Sequence, residues 1–124
     1  MIMNKDCKIL VCDDSILARK NLTGFLKGFG YTNISEVSNG EDAVNFCKEN
    51  KPELVFLDIV MPVKDGVTAT GEIMSANPDT KIIIVSSVGT QNHLKEAIKA
   101  GAKDFIQKPI DEELLKQVVE NVDG

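Results

Sequence analysis

The sequence predicts an α/β protein: a single doubly wound, five-stranded parallel sheet built as (βα)5. Three observations predict it. Short continuous apolar runs at Lys8–Cys12, Leu54–Leu57 and Lys81–Val85 look like strands buried on both faces. Segments with helical apolar spacing follow each of them. Glycine and proline punctuate the transitions, with no linker, low-complexity tract or internal repeat between them.

In chain order, Lys8–Cys12 is the first strand and runs into the acid pair Asp13-Asp14. The first helix is predicted from Ala18, Leu22, Phe25, Leu26 and Phe29, with Asp14 or Ser15 as cap and Gly28 and Gly30 bracketing its end. Asn33–Ser38 alternates apolar and polar residues, as an edge strand would. Ser38 and Glu41 have capping-box spacing and open a second helix, whose core face is Ala43, Val44 and Cys47. The third strand, Leu54–Leu57, ends on Asp58. After Asp65-Gly66 a helix carries Thr70, Ile73 and Met74 and stops at Asn77-Pro78. The fourth strand, Lys81–Val85, ends in Ser86-Ser87. A fourth helix follows on Leu94, Ala97 and Ile98, with Gly101 at its end. Asp104–Gln107 is a short last strand ending in Lys108-Pro109. The last helix places Asp111, Glu112 and Glu113 in its first turn, where acids suit the helix dipole, and has the core stripe Leu114, Leu115, Val118, Val119 and Val122.

Five βα units require right-handed crossovers with helices on both faces. The three wholly apolar strands belong in the centre, and the half-polar second and fifth at the edges. The order 2-1-3-4-5, known from flavodoxin-like sheets, meets that sorting and is adopted on that ground.

A chain of 124 residues fits one domain, and 43% hydrophobic with 27% charged residues is an ordinary globular balance. The net charge of -5 argues against a nucleic-acid surface. No run is long enough for a membrane span, and the start does not resemble a signal peptide. Cys7, Cys12 and Cys47 lack metal-ligand spacing, and the latter two read as small core residues of a reducing compartment, so a cytoplasmic setting is expected.

Function is concentrated at the carboxyl ends of the strands, where ligands bind in open α/β sheets. There the topology gathers Asp13, Asp14, Asp58, Ser86 and Lys108. Clustered carboxylates repel, so a divalent cation is the natural resolution. Few oxygen ligands at a shallow site suit Mg²⁺ better than Ca²⁺. A lysine and a hydroxyl opposite that cation would receive a tetrahedral oxyanion. Carboxylate, Mg²⁺ and lysine are together the parts for forming an aspartyl phosphate. Each group also has a plainer reading. Asp13-Asp14 could be a helix cap, Ser86 a strand-end hydroxyl, Lys108 a solvated edge lysine and Phe105 simple core.

Asp13-Asp14, Asp58 with Met61-Pro62-Val63-Lys64-Asp65-Gly66, Ser86 and Lys108-Pro109 resemble a response-regulator receiver domain of two-component signalling, most closely the stand-alone chemotaxis type. The resemblance runs from Lys8 to Val122. It implies one receiver domain over residues 1–124 with its core in 8–122 and no effector domain. It implies that Asp58 accepts a phosphoryl group from a histidine kinase, a phosphotransfer protein or a small phosphodonor, so the chain is a phosphoacceptor assisting its own phosphorylation and dephosphorylation rather than an enzyme. Asp14, Asp58 and the backbone carbonyl of Val60 would bind Mg²⁺, with Asp13 holding a metal-bound water. Lys108 would contact the phosphoryl oxygens and Ser86 would donate to them. Phe105 would turn inward on activation, altering a protein-binding surface on the fourth helix, fifth strand and fifth helix for a downstream target. The bond before Pro109 is expected to be cis. No nucleic-acid or membrane partner is expected, and the chain is expected to be monomeric. Kinases of such receivers dock along the first helix, where Leu17 is expected to be exposed.

Three features depart from many receivers. One is Phe105 in place of a tyrosine, which removes a hydroxyl that could bond to a partner but leaves an aromatic that can rotate. Val60 and Val88 stand two residues beyond Asp58 and Ser86, where polar groups often position an attacking water, which puts rapid self-dephosphorylation in doubt. Among alternatives, a haloacid-dehalogenase-type phosphatase would need Asp-x-Asp after the first strand, and a flavodoxin would need a hydroxyl- and glycine-rich phosphate loop there. A pseudo-receiver that only binds protein would have lost the acceptor or the lysine, and both are present.

Overall fold

The computed structural model describes residues 4–87 and 89–122. Its elements alternate strictly: β1 (Ile9–Cys12), α1 (Ile16–Gly28), β2 (Ile34–Val37), α2 (Gly40–Asn50), β3 (Leu54–Asp58), α3 (Gly66–Ala76), β4 (Lys81–Ser86), α4 (Gln91–Ala100), β5 (Asp104–Gln107) and α5 (Glu112–Asn121). The five strands form one parallel sheet in the order β2-β1-β3-β4-β5. The sorting by apolarity holds: β1 and β3 are buried throughout, whereas β2 is half-buried along its whole length and β5 is partly exposed.

Because side chains alternate along a strand, each central strand feeds two cores. On one face Ile9, Val11, Leu54, Phe56, Ile83 and Val85 pack with residues of α1 and α5. On the other, Leu10, Cys12, Val55, Leu57, Ile82 and Ile84 pack with residues of α2, α3 and α4. Ser15 caps α1, its hydroxyl accepting the Ala18 N–H at 3.2 Å.

Several expectations need correction. The cap of α2 is Asn39 and not Ser38: Asn39 Oδ1 accepts the Asp42 N–H at 2.8 Å. Leu114, expected in the core stripe of the last helix, is 46% exposed, and Ile98, one of the apolar positions that predict the fourth helix, is 42% exposed. On α4 the sheet-facing position belongs to Ala97, and on α5 Leu115, Val118 and Val119 already fill the stripe. Phe105 as plain core fails as well, since it is 45% exposed. Leu17 is exposed, as expected. Among the described residues, no helix is long and apolar enough to cross a membrane.

Candidate functional site

The register brings the carboxyl ends of the strands to one rim. Cys12 pairs with Leu57, Asp58 with Val85, and Ser86 with Gln107, so the residues that follow each strand emerge side by side. Asp13 and Asp58 are both buried at 5% exposure, and Asp14 is exposed at the lip. One carboxylate oxygen from each of the three lies within 4.8 Å of the others.

Lys108 reaches this group from the edge strand. Its Nζ lies 2.7 Å from Asp13 Oδ2 and 3.1 Å from Asp58 Oδ2. The solvated-edge reading of Lys108 therefore gives way to a cation held between two buried acids. The remaining carboxylate oxygens are also engaged. Asp13 Oδ1 accepts the Ser15 N–H at 2.9 Å, and Asp58 Oδ1 the Val60 N–H at 3.4 Å. Arg19, which the sequence did not single out, donates to the Asp13 carbonyl at 2.7 Å and pairs with Glu36 on β2 at 3.2 Å. It fixes the β1–α1 loop that carries both acids.

Electrostatics follow from this packing. Burial, and after it the charge of Asp13, push the Asp58 carboxyl above its ordinary range; the charge and hydrogen bond of Lys108 pull the other way without cancelling the rise. Burial pulls the Lys108 ammonium down, but the bond to Asp13 and the charges of Asp58 and Asp13 outweigh it, leaving it raised. Thus a single lysine does not neutralise the cluster, and a second positive group would be welcome at its exposed side. The donor set fits a hard, small cation: carboxylates only, one of them exposed, with backbone close by at Val60.

The other expected residues lie one strand away. Ser86 is buried at the end of β4, and with Thr90, Leu94 and Phe105 it lines a cavity of about 170 Å³. Phe105 sits at the rim of that cavity, partly in solvent. The Lys108–Pro109 bond is cis. Val88 falls outside the described residues.

Two buried groups meet beneath the rim: Cys12, which the sequence marks only as a small core residue, and Met61 of the β3–α3 motif. Cys12 Sγ lies 3.2 Å from Met61 Sδ and 3.3 Å from the Asn39 carbonyl, joining the end of β1 to the β3–α3 loop and to α2. Its thiol is pushed far up, first by burial and then by Asp13 and Asp58, so it is inert as a nucleophile.

A family model described as the response regulator receiver domain matches residues 9–120. The chain belongs to the response regulator receiver domain family. Relatives of this receiver include the chemotaxis protein CheY of Thermotoga maritima, 45% identical over 102 residues, which are 82% of this chain and 85% of that protein. CheY of Bacillus subtilis is 38% identical over 112 residues, 90% of this chain and 93% of that protein. Among solved structures, the CheX-CheY-BeF3-Mg complex from Borrelia burgdorferi superposes with a TM-score of 0.89 at 33% identity, covering 95% of this receiver and 90% of that chain. The receiver is thus of the chemotaxis type found in two-component systems: a signalling phosphoacceptor family rather than a classical enzyme.

Proposed function

We propose that this receiver accepts a phosphoryl group on Asp58 from a histidine kinase, a phosphotransfer protein or a small phosphodonor, and passes the signal to a protein target through α4, β5 and α5. The observation that carries the reading is the position of Lys108 Nζ between the buried carboxylates of Asp13 and Asp58. Two adjacent buried acids are costly unless positive charge is held with them, and Lys108 offsets that cost only in part, since Asp58 stays above its ordinary range. Such perturbed groups cluster at functional sites.

In the proposed chemistry an Asp58 carboxylate oxygen attacks phosphorus, the bond to the donor's leaving atom breaks, and an acyl phosphate remains on Asp58. Lys108, already at Asp58 Oδ2, moves its hydrogen bonding to the phosphoryl oxygens. Asp13 keeps the lysine aligned during that exchange. Asp14, Asp58 and the Val60 backbone carbonyl would hold Mg²⁺, with Asp13 acting through water. The bound cation would supply positive charge against the developing phosphoryl oxyanions. Ser86, at the mouth of the cavity shared with Phe105, donates to the new oxyanion, since charge-assisted hydrogen bonds are about twice as strong as neutral ones. Its motion draws in the β4–α4 loop and lets Phe105 turn into the cavity.

The test is labelling with acetyl phosphate and Mg²⁺, followed by peptide mapping. The expected result is one phosphoryl group, at Asp58, and none in Asp58→Asn, whose amide cannot form an acyl phosphate. Labelling that persists in Asp58→Asn would move the acceptor elsewhere.

A further inference from the structure

Among the described residues, the loop between β3 and α3 contains the one non-glycine residue at the rim with a positive φ. Val63 has φ 70°, a left-handed conformation that a β-branched residue adopts only when its surroundings impose it. The Lys64 N–H donates to the Pro62 carbonyl at 2.7 Å, closing a three-residue γ-turn around Val63, a rare and strained form. Val63 is itself 81% exposed, so its own side chain does not hold the turn.

What lies on either side of the turn does. Lys64 Nζ pairs with Glu41 in the first turn of α2 at 2.9 Å and with Glu72 in α3 at 2.7 Å. The Lys64 side chain is only 18% exposed, although both acids are well exposed. The Lys64 backbone lies so close to Gly40 that a Cβ there would overlap its carbonyl. The bond to Glu72 first, and the bond to Glu41 after it, hold the ammonium above its ordinary range. From this turn the chain runs back three residues to Val60, whose N–H faces Asp58.

We propose that Lys64 is a positioning residue for the acceptor loop. Its ion pairs to two separate helices brace the strained turn from both sides, and so keep Val60 and Asp58 ready for a cation. The proposal rests on the reading of Asp58, Asp14 and the Val60 carbonyl as the groups that hold Mg²⁺. An exposed pair contributes little to global stability, so the effect belongs to loop order rather than to the fold.

The test compares wild type, Lys64→Met and Lys64→Arg, each with native Val63 and with Val63→Asn, because asparagine accepts the left-handed conformation more readily. Amide exchange in metal-free protein and Mg²⁺ titration by calorimetry are the two readouts. Lys64→Met should speed exchange at the Gly66 amide, which bonds the Ile59 carbonyl at 2.8 Å. It should also weaken Mg²⁺ binding by roughly threefold, the scale of a partly exposed ion pair. Lys64→Arg should restore both, and the loss should shrink in the Val63→Asn background, where there is less strain to brace. Unchanged exchange and affinity in Lys64→Met would overturn the proposal, as would an equal loss in the Val63→Asn background. Wild type that neither binds Mg²⁺ nor labels at Asp58 would overturn the functional reading and the brace together; failure of the brace alone leaves wild-type binding intact.

Discussion

The β3–α3 and β4–α4 loops leave the same rim from neighbouring strands, yet they are held in opposite ways. The first is tied down along its length. Gly66 bonds back to Ile59, Met61 packs under Cys12, Lys64 bridges two helices, and Asp65 caps α3 by accepting the Thr68 N–H at 2.8 Å. The described part of the second is slack. Gly89 sits at φ 92° with nothing near where a Cβ would be. The Thr90 side chain does not cap α4 but donates to Ser87, and Ala97 is the only buried residue of that helix. Beside the slack loop is the cavity shared by Ser86 and Phe105. The difference teaches a division of labour. The tied half fixes the groups that hold cation and phosphoryl, and the slack half has low local stability and space to move into.

The comparison can be broken most forcefully at its glycines. A Cβ on Gly66 would overlap the Asp58 carbonyl oxygen, so Gly66→Ala must push β3 and α3 apart. It should cost about 1–3 kcal/mol, as overpacking does. Gly89→Ala meets open space and carries only the penalty of a positive φ, about 1 kcal/mol. Denaturant midpoints of the two variants measure this, and an equal loss would erase the contrast.

The cation should sharpen it next. Mg²⁺ at a hundredfold excess over its Kd should stabilise the fold by about 2.7 kcal/mol. Asp14→Ala should abolish that response while leaving Asp13, Asp58 and Lys108 in place. A melting temperature indifferent to Mg²⁺ in the wild type would argue against the cluster as a cation site.

A smaller effect concerns pH. The folded-state pKa of Asp58 is raised, so its ionised form opposes folding; that cost appears as pH rises past its ordinary value of 3.8 and is full above its folded value. In metal-free protein, Asp58→Asn should therefore melt higher than wild type near neutrality, and the advantage should fade as pH falls toward that ordinary value. A gap that widens on acidification would reverse the sign. Lys108 contributes in the opposite sense, and its raised pKa withdraws stability only in the alkaline range.

How much of this was legible in the sequence differs between the two halves as well. Continuous apolar runs ending in acid or hydroxyl fix the central strands, and with them the convergence of Asp13, Asp58 and Ser86, because strand burial and topology are written in local pattern. Lys108 joined them through its position after the last strand. The brace at Lys64 was not legible, since Glu41, Lys64 and Glu72 share no period and meet only once three elements have packed. Tyr31 is 2% exposed in the α1–α5 core with Lys5 over its ring at 4.3 Å, and it stands outside every periodic run, so no local pattern marks its burial. The α2 cap slipped by one residue from Ser38 to Asn39, because both side chains suit the role and backbone geometry chooses between them. Leu114 falls outside the core for a related reason: helical spacing defines a stripe, but the width that the sheet can cover is decided by neighbouring helices.

The division between a fixed and a responsive half is tested most directly by nuclear magnetic resonance of the Phe105 ring and the loop amides, with and without beryllofluoride and Mg²⁺. In the wild type the ring and the amides of the β4–α4 loop should shift together, with smaller changes at Met61 to Gly66. In Ser86→Ala the ring should stay where it is, although acetyl phosphate still labels Asp58. Full reorientation of Phe105 without the Ser86 hydroxyl, or larger shifts in the β3–α3 loop than in the β4–α4 loop, would contradict the account.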